Sequence, residues 1–181
     1  VLIKRWKGKM FQASNRGYVE VVKLLLKHSA NVDLNARNNR GQTAFIGACR
    51  YGRLQVAKFL LTNPSIELNT GDNVGWTAFM WACYNGHKDV VQLLLEYLSQ
   101  DINTNARDKY GSTAIKFACM KGHKDVVQLL LERCNTEESG LTTKGREGWT
   151  ALMEACFYGH KDVVQLLLER PSQDIDINAR N

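Results

Sequence analysis

The segment GHKDVVQLLLE occurs three times without a change, at Gly86 to Glu96, Gly122 to Glu132 and Gly159 to Glu169. Looser copies, GYVEVVKLLLK from Gly17 and GRLQVAKFLLT from Gly52, extend the series, so the leading glycines step by 35, 34, 36 and 37 residues. A period of this size marks stacked supersecondary units, because one such unit cannot bury its apolar face alone. Five units fill the 181 residues.

A second block precedes each of the last four copies: GQTAFIGAC from Gly41, GWTAFMWAC from Gly75, GSTAIKFAC from Gly111 and GWTALMEAC from Gly148. Each reads as a helix start. The threonine hydroxyl is placed to cap the first turn, and the alanine that follows (Ala44, Ala78, Ala114 or Ala151) favours helix. Phe79, Ala82 and Cys83 fall at helical spacing. The glycine of the GH pair breaks this helix, and DVVQLLLE begins a second one, with Val90, Val91, Leu94 and Leu95 on a wide apolar face. Polar segments such as LNARNNRG (Leu34 to Gly41) and INTNARDKYG (Ile102 to Gly111) connect the units as turns. The expected fold is all-α: stacked helical hairpins in a quasi-linear solenoid.

In order and spacing these blocks resemble the ankyrin repeat, a β-turn finger followed by a GxTPLHxAA helix and a GHxxIVxLLL helix, and the resemblance covers nearly the whole chain. It implies one array with repeats at 1–37, 38–71, 72–107, 108–144 and 145–177, and with residues 178–181 opening a further repeat. Three departures stand out. The family's proline is replaced by alanine, which suits a first helical turn. Its histidine becomes Ile46, Met80, Lys116 and Met153, so apolar packing is expected in place of a polar network. The first unit lacks Thr-Ala and aligns Gly8 to Ser14 with the helix start, as a divergent or capping repeat would.

Composition narrows the function further. The 44% hydrophobic content suffices for a continuous core, and no window holds the roughly 18 unbroken apolar residues of a membrane span. Lysines and arginines interrupt the start where a secretory signal would lie. The chain opens on Val1, as an excerpt would. Cys49, Cys83, Cys119 and Cys156 recur in one register. Stacking at about 10 Å separates equivalent residues beyond disulfide reach, so free thiols in an intracellular, cytoplasmic setting are expected, with the nucleus as an alternative.

Three C-x-x-x-H pairs, Cys83 with His87, Cys119 with His123 and Cys156 with His160, have the residue types of zinc ligands, but stacking spreads them along an axis instead of converging them. Each cysteine is expected in a small buried site and each histidine at the start of the second helix. Asp89, Asp125 and Asp162 suit the positive end of that helix's dipole better than acid–base work. Neither G-x-x-x-x-G-K-[ST] nor G-x-S-x-G occurs. No catalysis, cofactor, metal site or small-molecule substrate is expected.

Charge is uneven. Residues 1–53 hold eleven lysines and arginines against Glu20 and Asp33, an excess of nine in a chain whose net charge is +6. Such asymmetry suits the solvated face of an array first of all; as a binding feature it would suit an acidic protein, with nucleic acid or an anionic surface the lesser alternative, since no nucleic-acid recognition motif is present. The resemblance implies a protein-binding scaffold whose concave face is made of fingers and first helices, or a targeting segment of a larger enzyme or channel. It places the following in that groove as exposed residues: Arg40, Gln42, Arg50 and Tyr51; Trp76, Trp81 and Tyr84; Tyr110, Phe117, Met120 and Lys121; and Trp149, Phe157 and Tyr158. Aromatics and arginine are the usual carriers of interface energy. On this view Trp81→Ala and Tyr84→Ala abolish binding and leave the unfolding midpoint nearly unchanged. The opposing expectation is that Trp76 and Trp149 brace neighbouring fingers while Phe117 and Phe157 pack between helices. Two further expectations concern the end and an insertion. The apolar last helix and the closing INARN predict more repeats downstream, or a contact over Val164 and Leu168. The stretch from Arg133 to Glu147, which lengthens the last period and lacks an apolar face, predicts a mobile surface loop tolerant of shortening.

Overall fold

A computed structural model of the chain describes residues 2–28, 33–97, 102–134, 140–145 and 148–170, with residues 2–7 described by their backbone alone. The tail with INARN, and residues 135–139, 146 and 147 of the inserted stretch, lie outside the described residues.

Among the described residues there are ten helices and no strand. They form five pairs: α1 (Leu2–Arg16) with α2 (Val19–Lys27), α3 (Ala44–Arg50) with α4 (Leu54–Leu61), α5 (Ala78–Tyr84) with α6 (Lys88–Glu96), α7 (Ala114–Met120) with α8 (Lys124–Arg133), and α9 (Ala151–Phe157) with α10 (Lys161–Leu168). First helices pack in the row α1, α3, α5, α7, α9, and second helices in the parallel row α2, α4, α6, α8, α10. The core is the seam between the rows. Phe45, Ile46, Leu60, Met80, Leu94, Ile115, Leu130 and Leu167 are its largest fully buried side chains. Val90, Val91, Leu94 and Leu95 are all buried, as their spacing requires. The outer pairs are less covered: Val21 and Leu24 on α2 and Leu168 on α10 are exposed.

Local capping follows the sequence at three of four repeats. The hydroxyls of Thr43, Thr77 and Thr150 accept hydrogen bonds from the amides of Ile46, Met80 and Met153. Thr113 departs from the pattern, because its hydroxyl donates instead to the Gly140 carbonyl at 3.3 Å. The first unit also differs from expectation. The helix does not start at Gly8 but runs through it from Leu2, so α1 spans 15 residues where the other first helices span 7. The inserted stretch is not wholly without an apolar anchor, since Leu141 is buried in the core.

The GH pair has a second use that periodicity does not reveal. His87 Nε2 lies 3.0 Å from the Arg50 carbonyl, His123 Nε2 3.0 Å from that of Tyr84, and His160 Nε2 2.9 Å from that of Met120. Because a carbonyl only accepts, Nε2 carries the proton in each case. Each imidazole thereby satisfies a carbonyl left open at the C-terminus of the preceding repeat's first helix. Where the second repeat has Arg53 in place of histidine, its Nε donates to the Asn15 carbonyl at 2.8 Å. The ring fits because the residue beneath it is glycine: Gly86 and Gly122 have φ of +71°, and a Cβ at either would lie within 2.6 Å of the next repeat's imidazole.

One of these rings confers a pH dependence. Burial holds His123 below its ordinary imidazole pKa; its bond to Tyr84 opposes that shift, and the nearby His87, Lys121 and His160 add to it. The unfolded chain therefore takes up the proton first as pH falls below about 6.5. Stability from this group is complete above that pH and is lost on descending to the folded-state value. Denaturant midpoints at pH 7.5 and 5.5 should differ less in His123→Gln than in the parent chain; equal differences would contradict this assignment.

Candidate functional site

Fingers and first helices together line one face of the array. Each finger is a tight turn closed by backbone bonds, for example Gly75 N–H to the Asp72 carbonyl at 2.9 Å and Asp72 N–H to the Trp76 carbonyl at 3.0 Å. A side chain three residues before the finger glycine holds the turn from within. Asn38 Oδ1 accepts from the amides of Arg40 and Gln42, Asp72 Oδ1 from those of Val74 and Trp76, and Asp108 Oδ1 from those of Tyr110 and Ser112. The fourth finger has Gly145 at this position. Adjacent fingers are joined by Asn73 N–H to the Arg40 carbonyl and by Lys109 N–H to the Val74 carbonyl.

Two of these carboxylates also position tryptophans. The second oxygen of Asp108 accepts Trp76 Nε1–H at 3.0 Å, across the gap to the next finger, and that of Asp72 accepts Trp81 Nε1–H at 3.0 Å. Trp76 then sits at the centre of an aromatic cluster, with ring centroids 4.4 Å from Trp81, 4.9 Å from Tyr84 and 4.1 Å from Phe117. Cations close both ends: the Arg50 guanidinium lies 4.0 Å from the Trp81 ring and Lys121 Nζ 4.7 Å from the Tyr84 ring. The structure thus unites Arg50, Trp76, Trp81, Tyr84, Phe117 and Lys121 in one continuous patch over three repeats. Trp149, Phe157 and Tyr158 form a separate group, with centroid spacings of 4.9 and 5.0 Å.

Two residues placed in the groove by the resemblance are not exposed. Gln42 is 3% exposed, folded back on its own finger beside Asn38, and Phe117 is 6% exposed beneath Trp76. Trp76 braces the next finger and is half-buried. Phe157 does the reverse of packing inside: it is exposed, as are Tyr51, Tyr110 and Tyr158. Arg40 and Lys121 are exposed and Arg50, Trp81, Tyr84, Met120 and Trp149 half-buried. Trp81→Ala is also not neutral for folding, because it strips a donor from the buried Asp72 carboxylate, a loss of about 1–3 kcal/mol.

The thiols and the former histidine position complete the chemistry of this face. Burial raises the thiols of Cys49, Cys83 and Cys119 above their ordinary value, so they stay protonated and inert. Cys156 is exposed, contrary to the small buried site expected, because no described helix packs over α9 on that side. The five cysteines form no disulfide. Ile46 and Met80 are buried among apolar neighbours, but Lys116 breaks the expectation of apolar packing: it is 3% exposed and its Nζ lies 3.5 Å from a Glu154 carboxylate oxygen in the next repeat.

A family model for ankyrin repeats matches residues 10–108 and 96–181. The chain belongs to the ankyrin-repeat family. Among curated proteins it is similar to the E3 ubiquitin-protein ligase XBAT33 of Arabidopsis thaliana, 49% identical over 49 residues, which are 27% of this chain and 9% of that protein. Two probable E3 ubiquitin-protein ligases of Oryza sativa subsp. japonica, XBOS32 and XBOS33, are each 45% identical over 49 residues, again 27% of this chain, and 10% and 9% of their own lengths. The chain therefore aligns with about a tenth of each relative. No described helix is long and apolar enough to cross a membrane.

Proposed function

We propose that the array is a non-catalytic scaffold that binds a partner protein along the groove between fingers and first helices. The observation that carries this reading is the patch from Arg50 through Trp81, Trp76 and Tyr84 to Lys121, in which aromatic faces are fixed by buried carboxylates before any ligand arrives. Fixing them in advance lowers the ordering cost of binding. Rigid aromatics flanked by cations are the composition of interface hot spots. Such a surface suits an intracellular array with protonated thiols.

Photo-crosslinking tests the assignment. A benzoylphenylalanine placed at the exposed groove positions Tyr51, Tyr110 or Tyr158 should capture the partner, and one at the exposed second-helix positions Lys58, Gln92 or Gln128 should not. Capture from the second-helix row alone would place the interface elsewhere.

A second reading follows from the relatives, all of which are named as ubiquitin ligases. On that reading the array selects targets for a larger enzyme and the groove holds the protein to be modified. The residues that bind are the same; the full open reading frame distinguishes the two.

A further inference from the structure

The groove has a chemically distinct end. Two adjoining hollows open where the first finger faces α1, α3 and α5. The larger, about 790 Å³, is lined by Phe11 and Asn15 of α1, by the finger from Arg37 to Arg40, and by Arg50 and Tyr51. The smaller, about 330 Å³, lies toward the third repeat and reaches Asp72, Asn73 and Trp81. Arg40 and Arg50 belong to the walls of both, with Asn39 and Gln42, so the junction of the two hollows carries two arginines.

The charges here are unbalanced. Asp72 is the one carboxylate in either lining, and its oxygens are already taken by the amides of Val74 and Trp76 and by Trp81 Nε1–H. Arg37 is spent on the Gly71 carbonyl at 2.8 Å. Neither Arg40 nor Arg50 pairs with a carboxylate among the described residues. The Arg50 guanidinium lies over the Trp81 ring, 4.0 Å from its centroid, a contact that uses the ring face and none of its N–H groups. A guanidinium is a planar fork that matches a carboxylate bidentately, which a lysine cannot do. The surrounding residues 1–53 carry the array's excess of nine positive charges, which adds long-range attraction for an anionic chain.

Resting on the groove reading above, we propose that an acidic, extended segment of the partner protein docks across the junction of these hollows, with carboxylates held by Arg40 and Arg50. The aromatic patch that begins at Trp81 then receives the remainder of the segment.

The test uses the full 181-residue chain and a fluorescein-labelled hexaglutamate peptide, followed by anisotropy at two salt concentrations. Hexaglutamate should bind with a Kd tighter than about 1 mM, and hexaglutamine should bind at least about tenfold more weakly. The Arg40→Gln/Arg50→Gln pair should weaken hexaglutamate at least about tenfold, and Arg50→Lys, which keeps the charge but not the fork, should weaken it severalfold. The pair Lys58→Gln/Lys88→Gln, at exposed positions on second helices, should leave binding unchanged. Circular dichroism melting of each variant verifies folding; if the double arginine variant unfolds, Arg50→Lys and Arg40→Gln alone carry the comparison. The proposal is overturned if the lysine pair costs as much as the arginine pair, since that is diffuse attraction to a basic protein. It is likewise overturned if no arginine-dependent binding occurs, or if inorganic phosphate or decauridylate displaces hexaglutamate at lower concentration than the unlabelled peptide does. Failure here together with crosslinking from Tyr110 or Tyr158 would leave the groove reading intact and remove only its acidic occupant.

Discussion

Glu154→Leu is expected to destabilise the array by about 3–5 kcal/mol, and addition of Lys116→Met should restore most of the loss. Lys116 is 3% exposed and faces Glu154 at 3.5 Å across the interface of the fourth and fifth repeats. Removal of the carboxylate strands an ammonium group in the core, where water cannot solvate it. Replacing both groups by apolar side chains removes the desolvation cost on each side, which is why the double variant should recover. Lys116 occupies the position that is Ile46 and Met80 in the repeats before it, so its site accepts apolar volume. Chemical denaturation of the parent, both single variants and the double variant gives the coupling energy directly. Additive single effects would show that the two charges do not interact.

Asp108→Ala should cost at least about 3 kcal/mol, because it orphans the amides of Tyr110 and Ser112 and the indole N–H of Trp76 at a site only 8% exposed. Asp108→Asn separates the two uses of that carboxylate. The amide oxygen can still hold the finger, but its NH2 group then faces another donor at Trp76 Nε1. The asparagine variant is therefore expected to keep much of its stability yet release Trp76, seen as a red shift in tryptophan emission, and to weaken partner binding. An unchanged emission spectrum would show that Trp76 is held by its ring contacts alone.

What could be read in advance was whatever repeats. The helical pairs, the threonine caps at three of four repeats and the buried Val-Val-x-x-Leu face follow from periodicity and elementary propensities. Groove positions come from the resemblance; the structure gathers Arg50, Trp76, Trp81, Tyr84, Phe117 and Lys121 into one patch and keeps Trp149, Phe157 and Tyr158 as another. Some of the contacts that organise that face, such as Trp76 with Asp108, join residues one repeat apart, and spacing within a repeat carries no sign of them. Asp72 and Asp108 fall inside segments that read as polar turns, although each stands three residues before its own finger glycine, as Asn38 does. Spacing places His87, His123 and His160 at helix starts, and nothing within one repeat indicates the carbonyl each reaches. Gln42 and Phe117 were misplaced for a related reason: register along a helix or finger says which way a side chain leaves the backbone, not what folds over it.

The ties from Arg53, His87, His123 and His160 each reach back by one repeat, from a fixed position to a fixed position. A duplication or deletion of one whole unit leaves every such tie with a correct partner, whereas a gain or loss of half a unit inside a helical pair strands a ring and a carbonyl together. Length in this array is therefore quantised. A whole new copy keeps these ties intact on both sides, and the inter-repeat contacts it loses are particular pairs such as Lys116 with Glu154.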